Sequence, residues 1–284
     1  MSDLYSKINY LTDRDVILGG RIVEYDIGKA NINILRAHNM IDQVTYDKLL
    51  YSDQFDKMVR EVYIGNMIKR EINQSEEEGN IDARRMSNSP TYNTIKNGIL
   101  EAKKRLFVMN NIQDQEVIRI ANDAVYINRM DNLPYTSFTI GVNNHPVTFV
   151  PKKIYRSMVK FGRVIVFLST DKDGNFDVDV IGINNNLLFL HQNFLGFLCE
   201  MIIGMEFSDT RSLLTQFNIF YEDYINKRLD ISYYLEFNAE SSIRIKGTHF
   251  AGRFIDNKYI DKVDINYNLN ILRTLYSYIL QNHQ

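Results

Sequence analysis

VIRIANDAVYIN, residues 117–128, is the stretch of sequence that decides the fold. Two short runs rich in β-branched residues, 117–121 and 124–128, flank the dipeptide Asn122-Asp123. Asn and Asp tolerate the left-handed backbone of a tight turn, so the pattern predicts a β-hairpin. Asp123 then lies at the tip of that hairpin.

A second carboxylate is predicted at the end of an earlier strand. Residues 20–27, GRIVEYDI, are β-rich with alternating side-chain character, which predicts a strand that ends near Asp26. Residues 29–38 follow with the spacing of a short helix. Nucleotidyl transfer with two metal ions needs two carboxylates on neighbouring strands that share two Mg²⁺. Asp26 at a strand end and Asp123 at a hairpin tip supply these two contexts in that order.

The rest of the chain predicts further helices and a second hairpin. In the helix predicted at 91–110, Lys103 is assigned to a face other than the apolar one. The segment 73–90 has few apolar residues and ends in proline, so we expect a loop there. The remaining predicted elements are helices at 42–51, 54–71, 91–110, 187–206, 209–227 and 266–282, and a hairpin over 163–183.

Bulk composition indicates an ordinary globular protein that acts in the cytoplasm. The chain has 284 residues, 45% hydrophobic and 24% charged, and its net charge of −2 means that any nucleic-acid contact must come from a local patch. The single cysteine, Cys199, excludes an internal disulfide framework and favours a reducing compartment. The N-terminus carries no signal-peptide core, and Glu200 and Glu206 interrupt the apolar run 187–207, which predicts a buried helix and no membrane span.

Several other site classes are excluded by spacing. The five histidines show no zinc-ligand spacing, and neither a Ser-His-Asp system nor a phosphate-binding glycine loop is present in the sequence. The abundance of Asn, Ile, Lys and Tyr is compatible with an AT-rich genome and so with a phage source.

The ordered carboxylates resemble two motifs of the palm domain of family A and family B DNA polymerases. EYDIGKANI, around Asp26, resembles motif A, in which the fifth residue after the Asp screens the sugar 2′ position; here that residue is Asn31. IRIANDAVYI, around Asp123, resembles motif C, with Asn122 and Ala124 beside the single acid. The resemblance implies that Asp26 and Asp123 are catalytic and bind Mg²⁺.

Two downstream segments extend the resemblance over residues 20–230. Lys152-Lys153-Ile154-Tyr155 is similar to the Lys-Lys-x-Tyr element that contacts the primer–template duplex in family B enzymes. Residues 179–183, DVIGI, are similar to the Asp-Ile-Lys-Gly-Ile segment further on. The resemblance therefore implies nucleic-acid contacts by Lys152, Lys153 and Tyr155. Residues 84–93 match the fingers motif poorly, and the span between Asp26 and Asp123 is too short for full fingers.

The predicted fold is of the α+β class: an antiparallel palm-like sheet with covering helices, then a β-hairpin and a helical thumb-like region. The predicted domains are 1–130, a palm-like core with reduced helical fingers, and 131–284, the rest of the palm and the thumb-like region. Arg60 and Lys69 lie on a helix between the motifs, where a triphosphate needs cations, so with Asn31 they are the predicted nucleotide contacts.

The leading hypothesis is a minimal template-directed nucleotidyltransferase, or a subunit of a split polymerase, that uses Mg²⁺. Its partners would be nucleic acid, nucleoside triphosphates and other replication or transcription subunits, in the host cytoplasm and without a membrane. Two alternatives stay open: a non-catalytic polymerase-like module that binds nucleic acid or protein, and a phage accessory or virion protein.

Overall fold

The computed structural model describes residues 3–51, 57–75, 86, 88–171, 173–246, 248–251 and 256–282. Part of the helix predicted at 54–71 and most of the loop predicted at 73–90 lie outside these residues. The chain forms two compact units: unit 1 comprises residues 1–12 and 23–153, and unit 2 comprises 13–22 and 154–284. The change of unit falls after Lys153, whereas the predicted domain division falls after residue 130. Antiparallel sheets combine with helices throughout, which confirms the α+β class.

The strands form three sheets. Their bounds are β1 Asn9–Leu11, β2 Val16–Ile17, β3 Ile22–Ile27, β4 Val117–Ala121, β5 Ala124–Asn128, β6 Ser137–Ile140, β7 His145–Tyr155, β8 Ser157–Phe161, β9 Val164–Thr170, β10 Phe176–Ile181, β11 Ser242–Ile245 and β12 Thr248–Ala251. The first sheet has the order β1-β4-β5-β3-β7-β6, the second β10-β9-β8-β2, and β11 pairs with β12.

The hairpin predicted at 117–128 is confirmed. β4 and β5 pair antiparallel, with Ala121 opposite Ala124, so the turn contains only Asn122 and Asp123. Asn122 has φ +54°, in the left-handed region that asparagine enters at low cost. β5 is hydrogen-bonded in turn to β3, which places the hairpin beside the strand that carries Asp26.

The helices of unit 1 within the described residues include α1 Ala30–Ala37, α2 Gln43–Tyr51, α3 Lys57–Ser75 and α4 Pro90–Met109. Helix α4 crosses α1 closely at Gly98, where a Cβ atom would lie 2.3 Å from Cγ2 of Ile34. Ile34 and Leu106 are fully buried in the apolar core that these helices share with β3, β4 and β5. A larger residue at Gly98 would push α1 away from this core, so glycine sets the distance between the two helices.

Unit 2 contains the second predicted hairpin and a separate apolar core. β9 and β10 pair antiparallel with Thr170 opposite Phe176, which confirms the hairpin over 163–183. Its helices are α5 Gln192–Phe207, α6 Thr210–Ile225 and α7 Asn266–Gln281. Residues 185–207 are long and apolar enough to cross a membrane by length and composition, yet Phe194, Leu198 and Met201 are buried in the core of unit 2. This is the buried helix that the sequence predicts.

The end of α3 is joined to the start of α4 by the carboxylate of Glu71. It accepts hydrogen bonds from Ser89 Oγ at 2.5 Å, from Thr91 Oγ1 at 2.7 Å and from the Thr91 backbone N–H at 3.0 Å. Ser89 and Thr91 are fully buried, and Ser89 Oγ also caps α4 by accepting from the Tyr92 N–H. Burial acts to raise the pKa of Glu71, but the bonds from Ser89 and Thr91 together hold it below its ordinary value.

Replacing Glu71 should therefore destabilise unit 1 in a pH-dependent way. We expect Glu71→Gln to lower the free energy of unfolding by about 1–3 kcal/mol at pH 7, because Ser89 and Thr91 lose a charged acceptor. The folded pKa lies below the unfolded one, so this contribution is present above the unfolded pKa and is lost as pH falls through the folded pKa. Urea unfolding of the wild type and Glu71→Gln at several pH values from 7 to 3 measures this contribution to the free energy of unfolding.

The matched control is Glu240→Gln, at an exposed position of unit 2. It should leave the unfolding midpoint at pH 7 nearly unchanged. A Glu71→Gln protein that is as stable as the wild type at pH 7 would show that the contacts of Glu71 contribute nothing.

Candidate functional site

The carboxylates of Asp26 and Asp123 line one pocket of about 290 Å³ in unit 1. Asp26 lies one residue before the end of β3, and Asp123 lies in the turn between β4 and β5. Because β5 is the neighbour of β3 in the sheet, the strand order brings the strand end and the hairpin tip to the same edge. The two residues that the sequence predicts as the centre of the site are thus together.

The electrostatics of Asp123 show that the two acids affect each other. The pKa of Asp123 is raised, first by burial and then by the negative charge of Asp26. A backbone hydrogen bond and the positive charges of Lys103 and Lys57 act in the opposite direction. Two carboxylates that repel each other in a partly buried place favour a cation between them, because its charge offsets both the repulsion and the desolvation.

Cations and a helix N-terminus surround the two acids. Lys29, Lys57, Arg60 and Lys152 line the pocket, and the first turn of α1, residues 30–32, forms part of its wall. The first N–H groups of a helix have no intrahelical acceptor and carry a partial positive charge, which suits a phosphate group. The pocket therefore offers acidic groups for a metal ion and basic groups for a polyphosphate side by side.

Lys152 pairs with Asp26, its Nζ lying 3.7 Å from Oδ2. The side chain of Lys152 is 52% exposed and that of Asp26 is 29% exposed, so the pair contributes little to stability. A bound divalent cation would compete with Lys152 for the carboxylate of Asp26, and the displaced ammonium would then be free to meet another anion.

Two of the three residues predicted to contact the nucleotide lie at the pocket. Asn31 and Arg60 line the pocket, and Asn31 Nδ2 donates to Glu61 Oε2 at 3.3 Å. Lys69 is exposed further along α3 and does not line the pocket. From residue 60 to residue 69 the helix advances by about 13–14 Å, which carries Lys69 away from the acids.

The residues predicted to contact nucleic acid also do not all lie at the pocket. Lys152 lines the pocket, and Lys153 is half-buried at the end of unit 1. Tyr155 belongs to unit 2 and is 3% exposed; its hydroxyl donates to Asp179 Oδ2 at 2.7 Å and its ring packs against Phe167. A tyrosine so buried is not available at the surface for nucleic acid. Its contact with Asp179 does join the two downstream segments on which the polymerase resemblance rests.

The donor set for a metal ion is small. Among the residues that the structure describes, no group of three or more His, Cys, Asp or Glu side chains could hold a metal ion. Mg²⁺ in phosphoryl-transfer sites is commonly held by one or two carboxylates, with substrate phosphates and water as the other ligands. Asp26 and Asp123 fit that requirement and would hold Mg²⁺ together with the substrate.

Lys103 is a charged residue of this region that the sequence analysis placed wrongly. It is fully buried on the apolar face of α4, and its Nζ donates to the Lys7 carbonyl oxygen at 2.6 Å. Burial lowers the pKa of Lys103 to about 8, and the nearby charge of Asp123 partly opposes that effect. Helical spacing carried the signal, because Lys103 follows Ile95 and Ile99 at intervals of four.

Replacing Lys103 should change how stability depends on pH. The folded pKa lies below the unfolded value of 10.5, so the unfolded chain binds more protons between about pH 8 and pH 10.5, and stability rises with pH over that interval. We expect the free energy of unfolding of the wild type to increase relative to Lys103→Met as pH rises from 8 to 10. Urea midpoints of both proteins at pH 7, 8, 9 and 10 measure the difference.

Lys104→Met is the matched control, because Lys104 is the exposed neighbour on the same helix. Its difference from the wild type should stay constant over the same pH range. If the difference between the wild type and Lys103→Met were also constant, the ammonium group of Lys103 would not be desolvated by folding.

Comparison with known families gives a match that covers nearly the whole chain. A family model described as Bacteriophage PBS1 gene 130 protein matches residues 1–281. A search of curated proteins found no match.

Proposed function

The chain belongs to the bacteriophage PBS1 gene 130 protein family, and we propose that this phage protein is a minimal template-directed nucleotidyltransferase, acting alone or as a subunit of a split polymerase. The observation that supports the proposal is the shared pocket of Asp26 and Asp123, with Lys57, Arg60 and the N-terminus of α1 on its other walls. Acids that repel each other beside cations are what a metal–polyphosphate complex requires.

Asp26 and Asp123 act as the ligands of Mg²⁺ in this proposal. When bound, Mg²⁺ lowers the pKa of the attacking 3′ hydroxyl and offsets charge on the phosphate oxygens. The two carboxylates stand at the end of β3 and in the two-residue turn of β4 and β5, so the sheet holds both before the substrate arrives. Positions fixed in this way reduce the reorganisation needed for transfer.

The basic groups of the pocket bind the triphosphate. Lys57 and Arg60 on α3 line the pocket together with residues 30–32 of α1, and the first N–H groups of a helix suit a phosphate because they lack intrahelical acceptors. Asn31 lies next to these groups, at the position that the polymerase resemblance assigns to the sugar. With Asp26 holding Mg²⁺, Lys152 would exchange its ion pair with Asp26 for the backbone of the nucleic acid, which Lys153 would also contact.

A non-catalytic nucleic-acid-binding module is the second candidate. The observation that favours it is the small donor set: the described residues contain no group of three or more His, Cys, Asp or Glu side chains that could hold a metal ion, and Lys152 already lies 3.7 Å from Asp26. In such a module the cations of the pocket would hold a phosphate backbone directly. Binding would then be independent of Mg²⁺ and would fall steeply with salt.

Primer extension with Mg²⁺ or Mn²⁺ decides between the two candidates. We expect the wild type to extend a primer on a template, and Asp26→Asn and Asp123→Asn each to lower the rate by about 100-fold or more, because each removes a charged metal ligand. Product length on a denaturing gel measures extension. The salt dependence of DNA and RNA binding, measured in parallel, tests the binding module.

Asp131→Asn is the matched control, since Asp131 is an exposed acid of the same unit outside the pocket. It should extend primers like the wild type. Equal activity in all four proteins, or Mg²⁺-independent binding without any extension, would reject the catalytic proposal, and the second result would favour the binding module.

A further inference from the structure

A second pocket of unit 1, about 310 Å³ in volume, lies between α3 and α4. We propose that it takes the base of the nucleoside triphosphate, so that the nucleotide binds to the protein before any template is present. This inference rests on the proposed function, since it requires the phosphates to occupy the pocket of Asp26 and Asp123. We call the two sites the acid pocket and the base pocket.

The two pockets are neighbours in unit 1 and share lining residues. Asn31, Glu61 and Ile64 line both of them. The turn between β4 and β5 is also shared, because Asp123 lines the acid pocket and its neighbour Asn122 lines the base pocket. A nucleotide with its phosphates in one pocket and its base in the other would pass Asn31 and Glu61, which are hydrogen-bonded to each other at the junction.

The size of the site supports a single ligand across both pockets. Pockets that bury small organic ligands have volumes of about 300–1,000 Å³. The acid pocket and the base pocket, at about 290 and 310 Å³, each lie near the lower end of that range. Together they provide a site suited to a whole nucleotide.

The walls of the base pocket have the chemistry that a nucleobase needs. Ile64, Ile95 and Ile99 present apolar surface, and Tyr92 contributes an aromatic ring. Such surfaces bind the faces of a base by burial and stacking. The pocket is more apolar than the acid pocket, which matches the difference between a base and its phosphates.

Polar groups lie where the base pocket meets the acid pocket. Asn31 and Glu61 are hydrogen-bonded to each other at 3.3 Å, and Asn122 stands on the hairpin turn with its side chain exposed. Amide and carboxylate groups can donate to or accept from the edge of a base or the hydroxyls of the sugar. They give the site a means to orient the nucleotide between its apolar and charged ends.

A substitution at Gly65 can change the base pocket and leave the acid pocket unchanged, because Gly65 lines only the former of the two. It lies within α3, is exposed, lines the base pocket, and has no atom within 4 Å of an added Cβ. A leucine side chain here would start in open space at the pocket wall and reduce the room for a base, and leucine favours a helix over glycine. Gly65→Ala is the matched control, because a methyl group leaves most of the pocket open.

Titration calorimetry of the full chain with Mg²⁺, and without nucleic acid, tests the proposal. The probes are ATP, GTP and inorganic tripolyphosphate, which has the phosphates but no base. We expect the wild type and Gly65→Ala to bind a nucleotide about tenfold or more tightly than tripolyphosphate, because a base contributes stacking and burial. Gly65→Leu should lose that advantage and keep its affinity for tripolyphosphate.

The outcomes separate this inference from the proposed function. If tripolyphosphate binds and both nucleotides bind no tighter, or if Gly65→Leu keeps the advantage, the base pocket is rejected and the proposed function stands. If no probe binds to the wild type, the inference that a nucleotide binds before any template is rejected, and primer extension alone then decides the proposed function. Circular dichroism and the unfolding midpoint of Gly65→Leu confirm that any loss of affinity occurs in a folded protein.

Discussion

The position of β3 between β5 and β7 is the constraint on which the site depends. Hydrogen bonds to a neighbour on each side fix β3, and buried Val23, Tyr25 and Ile27 hold it against the helices. This arrangement places Asp26 beside Asp123 although the two negative charges repel and burial opposes the ionisation of Asp123. The apolar core therefore offsets a local electrostatic cost, which is common where a protein prepares a site for a charged ligand.

The sequence predicted the parts of unit 1 that are determined locally. A two-residue turn at Asn122 and Asp123 and a strand that ends near Asp26 follow from a few adjacent residues, and both are found. That the two elements are neighbours depends on pairing between β3 and β5, which are about one hundred residues apart in the chain. The sequence alone does not state such a pairing; the resemblance to a polymerase palm led us to expect it.

The structure differs from the sequence analysis where a residue's surroundings are set by distant parts of the chain. Lys103 was assigned to a polar face because of its charge, although its spacing from Ile95 and Ile99 indicates the apolar face. Lys69 was grouped with Arg60 because both are basic residues of one helix, but only Arg60 reaches the pocket. Lys57 and Lys29 were not singled out, since nothing in their immediate neighbourhood distinguishes them from solvent-exposed lysines.

The contacts of Glu71 have a consequence for how proteins of this family can diverge. Because Glu71 holds Ser89 and Thr91, the last turn of α3 and the first turn of α4 stay together whatever chain joins them. Closing a longer connection between fixed ends costs only about 0.6 kcal/mol for each doubling of its length. Through chain closure alone, an insertion between these two helices would therefore cost the fold little, so the connection is a place where the family can acquire new sequence.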